Sequence, residues 1–300
     1  MELLLIFSVG LVSGFCGILV GAGGGFIASP ILLILFKLSP EEVAGTFLAL
    51  VAVNTSAAAF SYIKEGFADR RSALLFAVSA IPGSVIAPFA VKATDPNNFR
   101  IIFGFVLLGL SIYSIFKALR PGSGSKLRAS SRVWTQPWVF LRGRSIVTKQ
   151  GETFTYKFSE SIAVIFNFII GFCASFFGVG AGFVRTPILV YAFSFPVKVA
   201  VATSVFATAF YTLIGAVTHG VLGHIDWYPI FTFGAIGFVI GGQIGVKVVS
   251  RIQGKWIIPI LMILLFSLGL KLFWGMVSIS RNEFFLKKYI MKRFMYKIKF

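Results

Sequence analysis

Two glycine clusters are the residues of this sequence best suited to binding a ligand. Each interrupts an apolar segment that would otherwise be one helix: Gly21, Gly23, Gly24 and Gly25 in the first, and Gly178, Gly180 and Gly182 in the second. Glycine destabilises a helix by about 1 kcal/mol per residue relative to alanine, so such clusters predict a break. A half-helix starting at Phe26 or Phe183 would direct unpaired N–H groups and the positive end of its dipole toward an anion. The alternative is that the glycines only permit close helix packing, which we favour for Gly14 and Gly17.

Arg185 follows the second cluster within an apolar stretch, where a charge is energetically costly and commonly functional. Its guanidinium can donate to two oxygens of a small oxyanion at once. The alternative is an arginine that extends to the lipid headgroups. The following spans add neutral hydrogen-bonding side chains to this candidate substrate site, namely Thr46, Asn54, Thr203 and Ser204.

The two histidines of the chain, His219 and His224, precede Asp226 near the end of a span. Because histidine titrates near neutral pH, His219 and Asp226 are candidates for a proton relay; the alternative is an ordinary loop position. No Cys, His and carboxylate group has the spacing of metal ligands, and the spans contain neither paired carboxylates nor a nucleophile triad. We therefore expect no metal site, no cofactor and no enzyme activity.

The composition indicates which elements must position these residues. Hydrophobic residues make up 57% of the 300 positions, charged residues 13%, and the mean hydropathy is +0.90. This is more apolar surface than one soluble core can bury, and the apolar stretches have the length of about 20 residues that a helix needs to cross a bilayer. We predict an all-α multi-pass membrane protein in contact with lipid.

The sequence repeats itself at an offset of 157 residues, the separation of Gly21 and Gly178. Gly14-Phe15-Cys16 then aligns with Gly171-Phe172-Cys173, and Pro30-Ile31-Leu32 with Pro187-Ile188-Leu189. Gly66 and Asp69 precede a span much as Gly220 and Asp226 do. This pattern predicts two homologous transmembrane halves, residues 1–120 and 161–277, joined by a linker, 121–160, and followed by a tail, 278–300.

Each half begins with a glycine-broken first segment and continues with three spans, which makes about eight transmembrane segments. The predicted segments of the first half are Leu3–Phe36, Val43–Tyr62, Ser72–Val91 and Phe99–Leu119. Those of the second half are Ile162–Phe195, Val199–Thr218, Tyr228–Val249 and Trp256–Val277.

The net charge of +18 is concentrated in the linker and in the tail. Such basic segments are typical of cytoplasmic loops, so we expect no nucleic-acid binding and place both segments in the cytoplasm. In the linker, Trp138 to Phe158 alternates apolar and polar residues around Lys149-Gln150-Gly151-Glu152, a pattern that suggests a small extramembrane β-hairpin; the alternative is a disordered loop. The tail after Arg281 is either a basic amphipathic helix on the membrane surface or a frayed terminus.

The predicted topology follows from these charges. If linker and tail share the cytoplasmic side, each broken segment makes one net crossing and the two halves run parallel. The alternative is an extra crossing in each broken segment, which makes the halves antiparallel and places the linker outside. We expect the parallel arrangement.

The glycine segments resemble a known family. The paired Gly-x-Gly-x-Gly-Phe motifs, each followed by Pro-Ile-Leu, together with Ala200-Val201-Ala202-Thr203-Ser204 and the stretch from Tyr62 to Arg71, are similar to the TauE/SafE sulfite exporter family. The resemblance covers nearly all of both halves and implies a multi-pass permease of the cytoplasmic membrane that exports or exchanges sulfite, organosulfonates or similar anions. The long basic linker and Phe47, which stands where Ser204 stands in the second half, depart from the pattern.

The leading hypothesis is a secondary transporter of a small sulfur-containing anion, which works by alternating access of the two halves around a midplane site. The alternatives are an anion channel, and a membrane sensor or assembly protein that acts through the linker. The sequence leaves open which anion moves, in which direction and with which coupling ion, and also the oligomeric state.

Overall fold

The structure is a computed structural model that describes residues 2–36, 38–119, 141–149, 151–267 and 269–270. Residues 120–140 and the tail lie outside this range, as do the predictions made for them. The helices are α1 (Glu2–Leu19), α2 (Gly25–Phe36), α3 (Pro40–Glu65), α4 (Arg70–Lys92), α5 (Pro96–Leu119), α6 (Glu160–Phe177), α7 (Gly182–Tyr191), α8 (Val197–Val221), α9 (Thr232–Arg251) and α10 (Ile257–Ser267). One antiparallel hairpin pairs β1 (Leu141–Val147) with β2 (Thr153–Ser159).

Six of the described helices are long and apolar enough to cross a membrane: α1, α3, α4, α6, α8 and α9 with the turn that precedes it. This confirms the all-α membrane class, and the strand pair confirms the hairpin. The total of about eight transmembrane segments stays a prediction, and of the last predicted span only the part before residue 271 is described.

Local sequence explains where the central helix α3 begins and ends. Ser39 caps its first turn by accepting from the N–H of Glu42, whose carboxylate accepts in turn from the N–H of Ser39. Gly66 ends the helix with φ of 78°, a left-handed conformation that favours glycine. The residue equivalent to Gly66 is Gly223, with φ of 75°, and not Gly220 as the sequence comparison proposed.

Helices α3 and α8 form the centre of the molecule, because 78% and 83% of their 18-residue apolar stretches are buried. Two hydrogen bonds show how they are oriented. The N–H of Asp69, just beyond the end of α3, donates to Thr203 near the start of α8 at 3.1 Å. The N–H of Asp226, beyond the end of α8, donates to Thr46 near the start of α3 at 2.9 Å. The end of each helix therefore lies beside the start of the other, so α3 and α8 are antiparallel.

The prediction of parallel halves is therefore wrong. A two-fold relation that places equivalent helices antiparallel has its axis perpendicular to them, as in inverted-repeat transporters. The local reason is that each broken segment folds back on itself. Near the end of α1, the carbonyl of Ile18 accepts from the hydroxyl of Tyr62 in the last turn of α3, and α2 then returns to the start of α3.

The antiparallel arrangement also separates the hairpin from the end of α10. The N–H of Lys149 in the hairpin donates to the carbonyl of Glu65 at the end of α3. Lys198 at the start of α8 bonds the carbonyl of Ser250, so α9 finishes at this same end of the bundle. From there α10 runs away from the hairpin, packing along α5, where Ser111 donates to the carbonyl of Met262. The expectation that linker and tail share one side rested on parallel halves and no longer follows.

The hairpin is anchored on the corner between α3 and α4. The Tyr156 hydroxyl donates to the carboxylate of Asp69 at 2.7 Å, and Arg144 lies 3.9 Å from the same carboxylate while pairing with Glu160. Burial, followed by the hydrogen bond to Asp69, raises the pKa of Tyr156 above its ordinary value, so this hydroxyl keeps its proton. The ring of Tyr156 also contacts that of Phe195 just before α8, with centroids 4.2 Å apart. The hairpin thus covers one end of the central helix pair.

Candidate functional site

Both predicted helix breaks are present, and both have positive φ at the same three equivalent positions. Gly21, Gly23 and Gly24 have φ of 83°, 81° and 104°. At the equivalent positions, Gly178, Gly180 and Ala181 have φ of 66°, 73° and 27°. L-residues rarely adopt positive φ, which explains the glycines and leaves Ala181 strained. The clusters therefore reverse the chain between α1 and α2 and between α6 and α7.

The two breaks contact each other at the centre of the molecule. A Cβ on Gly25 would lie 2.5 Å from the carbonyl oxygen of Gly178, and a Cβ on Gly182 would lie 1.9 Å from that of Gly21. The ring of Phe26 stacks on that of Phe183 with centroids 5.5 Å apart. The first turns of α2 and α7 therefore lie next to each other. The first N–H groups of each helix lack intrahelical partners. Gly14 and Gly17 serve close packing, as predicted, against Phe238 and Gly24.

Side chains from the middle of α3 and α8 hold the breaks in place. The amide of Asn54 donates to the carbonyl of Gly23 at 2.8 Å. At the equivalent positions of the second half, the Tyr211 hydroxyl donates to the carbonyl of Gly180, also at 2.8 Å. Since Asn54 and Tyr211 lie near the midpoints of helices long enough to cross a bilayer, the breaks lie near the midplane.

Arg185 extends from α7 to polar groups on α6 and α8. The Arg185 cluster consists of Arg185, Asn167, Ser204, Thr208 and Tyr211. Its Nε donates to Asn167 Oδ1 at 2.7 Å, and its Nη1 donates to Thr208 Oγ1 at 3.1 Å and to the carbonyl of Ser204 at 3.5 Å. Its guanidinium carbon lies 5.0 Å from the centroid of the Tyr211 ring, within the range of a cation–π contact. The side chain is buried, with 1% of the residue exposed. The predicted alternative of an arginine extended to the headgroups is therefore wrong.

The guanidinium is incompletely satisfied. Its Nη2 has no hydrogen-bond partner, and within the described ranges no carboxylate lies within 4 Å of it. The hydroxyls of Ser29 and Thr186, which occupy equivalent positions in α2 and α7, are also buried without partners. Because a buried cation normally has a counter-charge and buried hydroxyls are normally bonded, the guanidinium and these two hydroxyls are donors available to an anion.

The four predicted neutral residues divide into three groups, and Asn54 holds the first break through its bond to Gly23. Ser204 belongs to the Arg185 cluster, since its hydroxyl donates to the carbonyl of Gly21 at 3.0 Å and its own carbonyl accepts from Arg185. Thr46 and Thr203 instead accept from backbone N–H groups at the two ends of the bundle. Their hydroxyls connect the two halves and do not supply donors beside Arg185.

The histidines form a pair at the end of the bundle opposite the hairpin. Nδ1 of His219 lies 3.1 Å from Nδ1 of His224, and Nε2 of His219 lies 3.2 Å from the carbonyl oxygen of Ser175. The structure thus pairs His219 with His224, whereas Asp226 lies beyond them in the loop, where its N–H donates to Thr46. Burial, followed by the nearby Glu42, raises the pKa of Asp226 above its ordinary value.

Sequence reasoning missed three residues that contact Arg185: Asn167, Thr208 and Tyr211. A signal for them existed in the comparison of the two halves. At the offset of 157 residues they align with Gly10, Val51 and Asn54, just as Arg185 aligns with Ala28. The cluster therefore lies at positions where the side chain of the second half is larger or more polar than the equivalent side chain of the first half.

Comparisons with known proteins agree with this architecture. The family model for the sulfite exporter TauE/SafE matches residues 6–272. The probable membrane transporter protein YunE of Bacillus subtilis is 29% identical over 282 residues, which cover 91% of this chain and 97% of that protein. A probable membrane transporter protein of Methanocaldococcus jannaschii is 26% identical and covers 89% of this chain and 93% of that protein, and one of Xylella fastidiosa is 25% identical and covers 83% and 85%. No solved structure matches the chain significantly. With nearly its whole length matched by the family model, the chain belongs to the TauE/SafE sulfite exporter family of membrane transporters.

Proposed function

We propose that this protein is a secondary transporter that exports or exchanges a small sulfur-containing oxyanion, sulfite or an organosulfonate, at the Arg185 cluster. The observation that carries the proposal is the free Nη2 of a buried arginine that has no carboxylate neighbour among the described residues. An oxyanion bound there would accept from Nη2 and from the unpartnered Thr186 hydroxyl. It would also supply the missing counter-charge.

The burial of Arg185 favours a carrier over a channel. A channel needs a continuous hydrated path, and an arginine on that path would be wetted. Here Arg185 is enclosed by α6, α7 and α8. We therefore propose alternating access, in which the antiparallel halves rearrange around a midplane site and expose it to each side in turn.

We propose further that the hairpin end faces the cytoplasm. The described residues at that end include Lys64, Arg70, Arg71, Lys149, Lys198 and Arg251, beside the acidic residues Glu65, Asp69, Glu152 and Glu160. The opposite end has Lys92 and Arg100 beside Glu41, Glu42, Asp95 and Asp226. Positive loops remain on the cytoplasmic side during insertion, so this asymmetry supports a cytoplasmic position of the hairpin and of the linker that contains it. A reporter fused at Gly124 tests the assignment: activity of a periplasmic reporter at this position would contradict it.

The test of transport is exchange of radiolabelled sulfite in proteoliposomes at equal internal and external pH. Wild-type protein is expected to exchange internal for external sulfite with saturation, and Arg185→Ala is expected to lose this exchange. Arg71→Gln is the matched control, because it removes an exposed arginine from the hairpin end. A second arm with ethanesulfonate distinguishes sulfite from organosulfonates.

Two results would overturn the proposal. Equal sulfite exchange by Arg185→Ala and wild type would exclude Arg185 from the site. Currents that rise linearly with sulfite concentration, without exchange, would replace the carrier by a channel.

A further inference from the structure

The proton positions of the His219–His224 pair are assigned from its hydrogen-bond partners. Nε2 of His219 lies 3.2 Å from the carbonyl oxygen of Ser175 and 3.4 Å from its hydroxyl oxygen. We assign a proton to this nitrogen, because the nearer carbonyl oxygen can only accept. Neutral His219 then has a bare Nδ1, which accepts from Nδ1–H of His224 across 3.1 Å. His224 is left with a bare Nε2, and an added proton binds there without breaking either hydrogen bond.

The pair accommodates one extra proton and resists a second. A second proton would have to go to Nδ1 of His219, which would break the bond between the rings. It would also place two cations on rings whose centroids are 5.3 Å apart. Both residues are buried, with 0% of His219 and 4% of His224 exposed. The pair is therefore a single-proton site.

Charged groups from three elements surround this site. Burial lowers the pKa of His224 below its ordinary value; Glu41 at the start of α3 opposes this effect, and Lys92 at the end of α4 adds to it. Glu42 and Asp226 form a second acidic group beside them. Burial and Lys92 therefore disfavour the added proton and Glu41 favours it, so binding of the proton depends on the local charge.

The histidine pair is connected to the Arg185 cluster through the same two helices. His219 lies on α8, two turns beyond Tyr211, a rise of about 12 Å. Its partner Ser175 lies on α6, the helix that also contributes Asn167 to Arg185. Between them, a Cβ on Gly215 would lie 2.3 Å from the hydroxyl of Ser84 and 3.1 Å from that of Ser175, and Ser84 donates to the carbonyl of Tyr211. A line of polar groups thus joins the two sites.

We propose that the His219–His224 pair binds the coupling proton of this transporter and that one proton crosses with each anion. This inference rests on the proposed function of the Arg185 cluster. An anion on Arg185 cancels a buried positive charge that otherwise disfavours protonation of the pair, so the bound anion raises the proton affinity of the pair. Proton and anion therefore bind cooperatively, and net movement follows the sum of their gradients.

The experiment measures labelled sulfite in proteoliposomes under two conditions. Exchange at equal pH on both sides reports the anion site alone. Uptake driven by an external pH one unit below the internal pH reports the proton, and at one-to-one coupling it yields accumulation up to about tenfold. Empty vesicles correct for sulfite that crosses the lipid by itself.

The variants are His219→Gln, whose amide keeps a donor for Ser175, and His224→Asn, whose amide keeps a donor for His219. Both are expected to exchange sulfite at equal pH and to lose accumulation driven by the pH gradient. Asn97→Gln, an exposed substitution at the same end of the bundle, is expected to keep both. Arg185→Ala is expected to lose both, because it removes the anion site.

The outcomes separate the two proposals. Gradient-driven accumulation that persists in both histidine variants would overturn the proton site, since sulfite would then be carrying its own proton. Accumulation driven by the opposite gradient would overturn cotransport in favour of antiport. Absence of exchange by the wild type at equal pH would refute the proposed function itself. Exchange retained by the histidine variants shows that they are folded.

Discussion

The two threonines that connect the halves allow a quantitative test of the antiparallel arrangement. Thr203 accepts from the N–H of Asp69 at one end of the bundle, and Thr46 accepts from the N–H of Asp226 at the other. Substitution by valine keeps the shape of either side chain and removes the acceptor. A buried donor left without a partner costs about 1–3 kcal/mol, whereas a donor that water can reach costs less.

The environments of the two N–H groups predict unequal effects. Asp69 is 7% exposed and lies under the hairpin, so its N–H has no replacement for Thr203. Asp226 is half-buried in a loop, where water can replace Thr46. We expect Thr203→Val to cost about 2 kcal/mol and Thr46→Val less than about 1 kcal/mol. At about 2–4 °C per kcal/mol, these are decreases in melting temperature of about 4–8 °C and less than about 4 °C.

The assay is thermal unfolding of the purified protein in detergent, monitored by intrinsic fluorescence. The two sites are separated by nearly the length of α3, about 35 Å, so the double variant should show the sum of the single effects. Stronger destabilisation by Thr46→Val than by Thr203→Val would refute the reasoning from burial. A double variant no worse than the single ones would show that the two bonds do not form independently.

Three further predictions concern the hairpin and the breaks. Tyr156→Phe removes the hydroxyl bond to Asp69 and should lower the melting temperature equally at every pH from about 6 to 9. Because the pKa of Tyr156 is raised in the folded protein, the stabilisation by its hydroxyl is complete below the ordinary tyrosine pKa and is lost only at more alkaline pH. A difference in melting temperature between wild type and variant that disappears between about pH 6 and 9 would contradict the assignment. Ala181→Gly relieves a φ of 27° and should raise the melting temperature by about 2–4 °C; no change would mean that this residue is unstrained. Gly182→Ala should abolish sulfite exchange, because its Cβ would lie 1.9 Å from the carbonyl oxygen of Gly21 in the other break. The control is Gly109→Ala in α5, whose Cβ would have no atom within 4 Å and which should leave exchange unchanged.

Features encoded locally could be predicted from the sequence. The helix breaks follow from glycine clusters, because glycine adopts positive φ angles without the steric cost that other residues have, as at Gly21, Gly23 and Gly24. The hairpin follows from alternation around Gly151, whose φ is 81°. Arg185 was recognisable as a candidate because a charge in an apolar stretch is costly wherever the chain folds.

The orientation of the halves was decided only by the tertiary structure. Both the linker and the tail are basic, so the charge rule could not distinguish one net crossing from a helix that returns. The return of α2 depends on contacts of the break with the middle of α3, such as the bond from Asn54 to Gly23, between residues far apart in the chain. These contacts make the broken segment a helical hairpin, and the antiparallel halves follow from it.

The partners of each polar side chain were likewise decided by packing. Thr203 and Ser204 are neighbours in sequence, yet one accepts from Asp69 at the end of the bundle and the other donates to Gly21 at its centre. The sequence alone determined that this protein has two glycine breaks and one arginine beside the second. Only the tertiary structure brought Asn167, Thr208 and Tyr211 to that arginine, because the hydrogen bonds of a buried side chain depend on which helices meet around it.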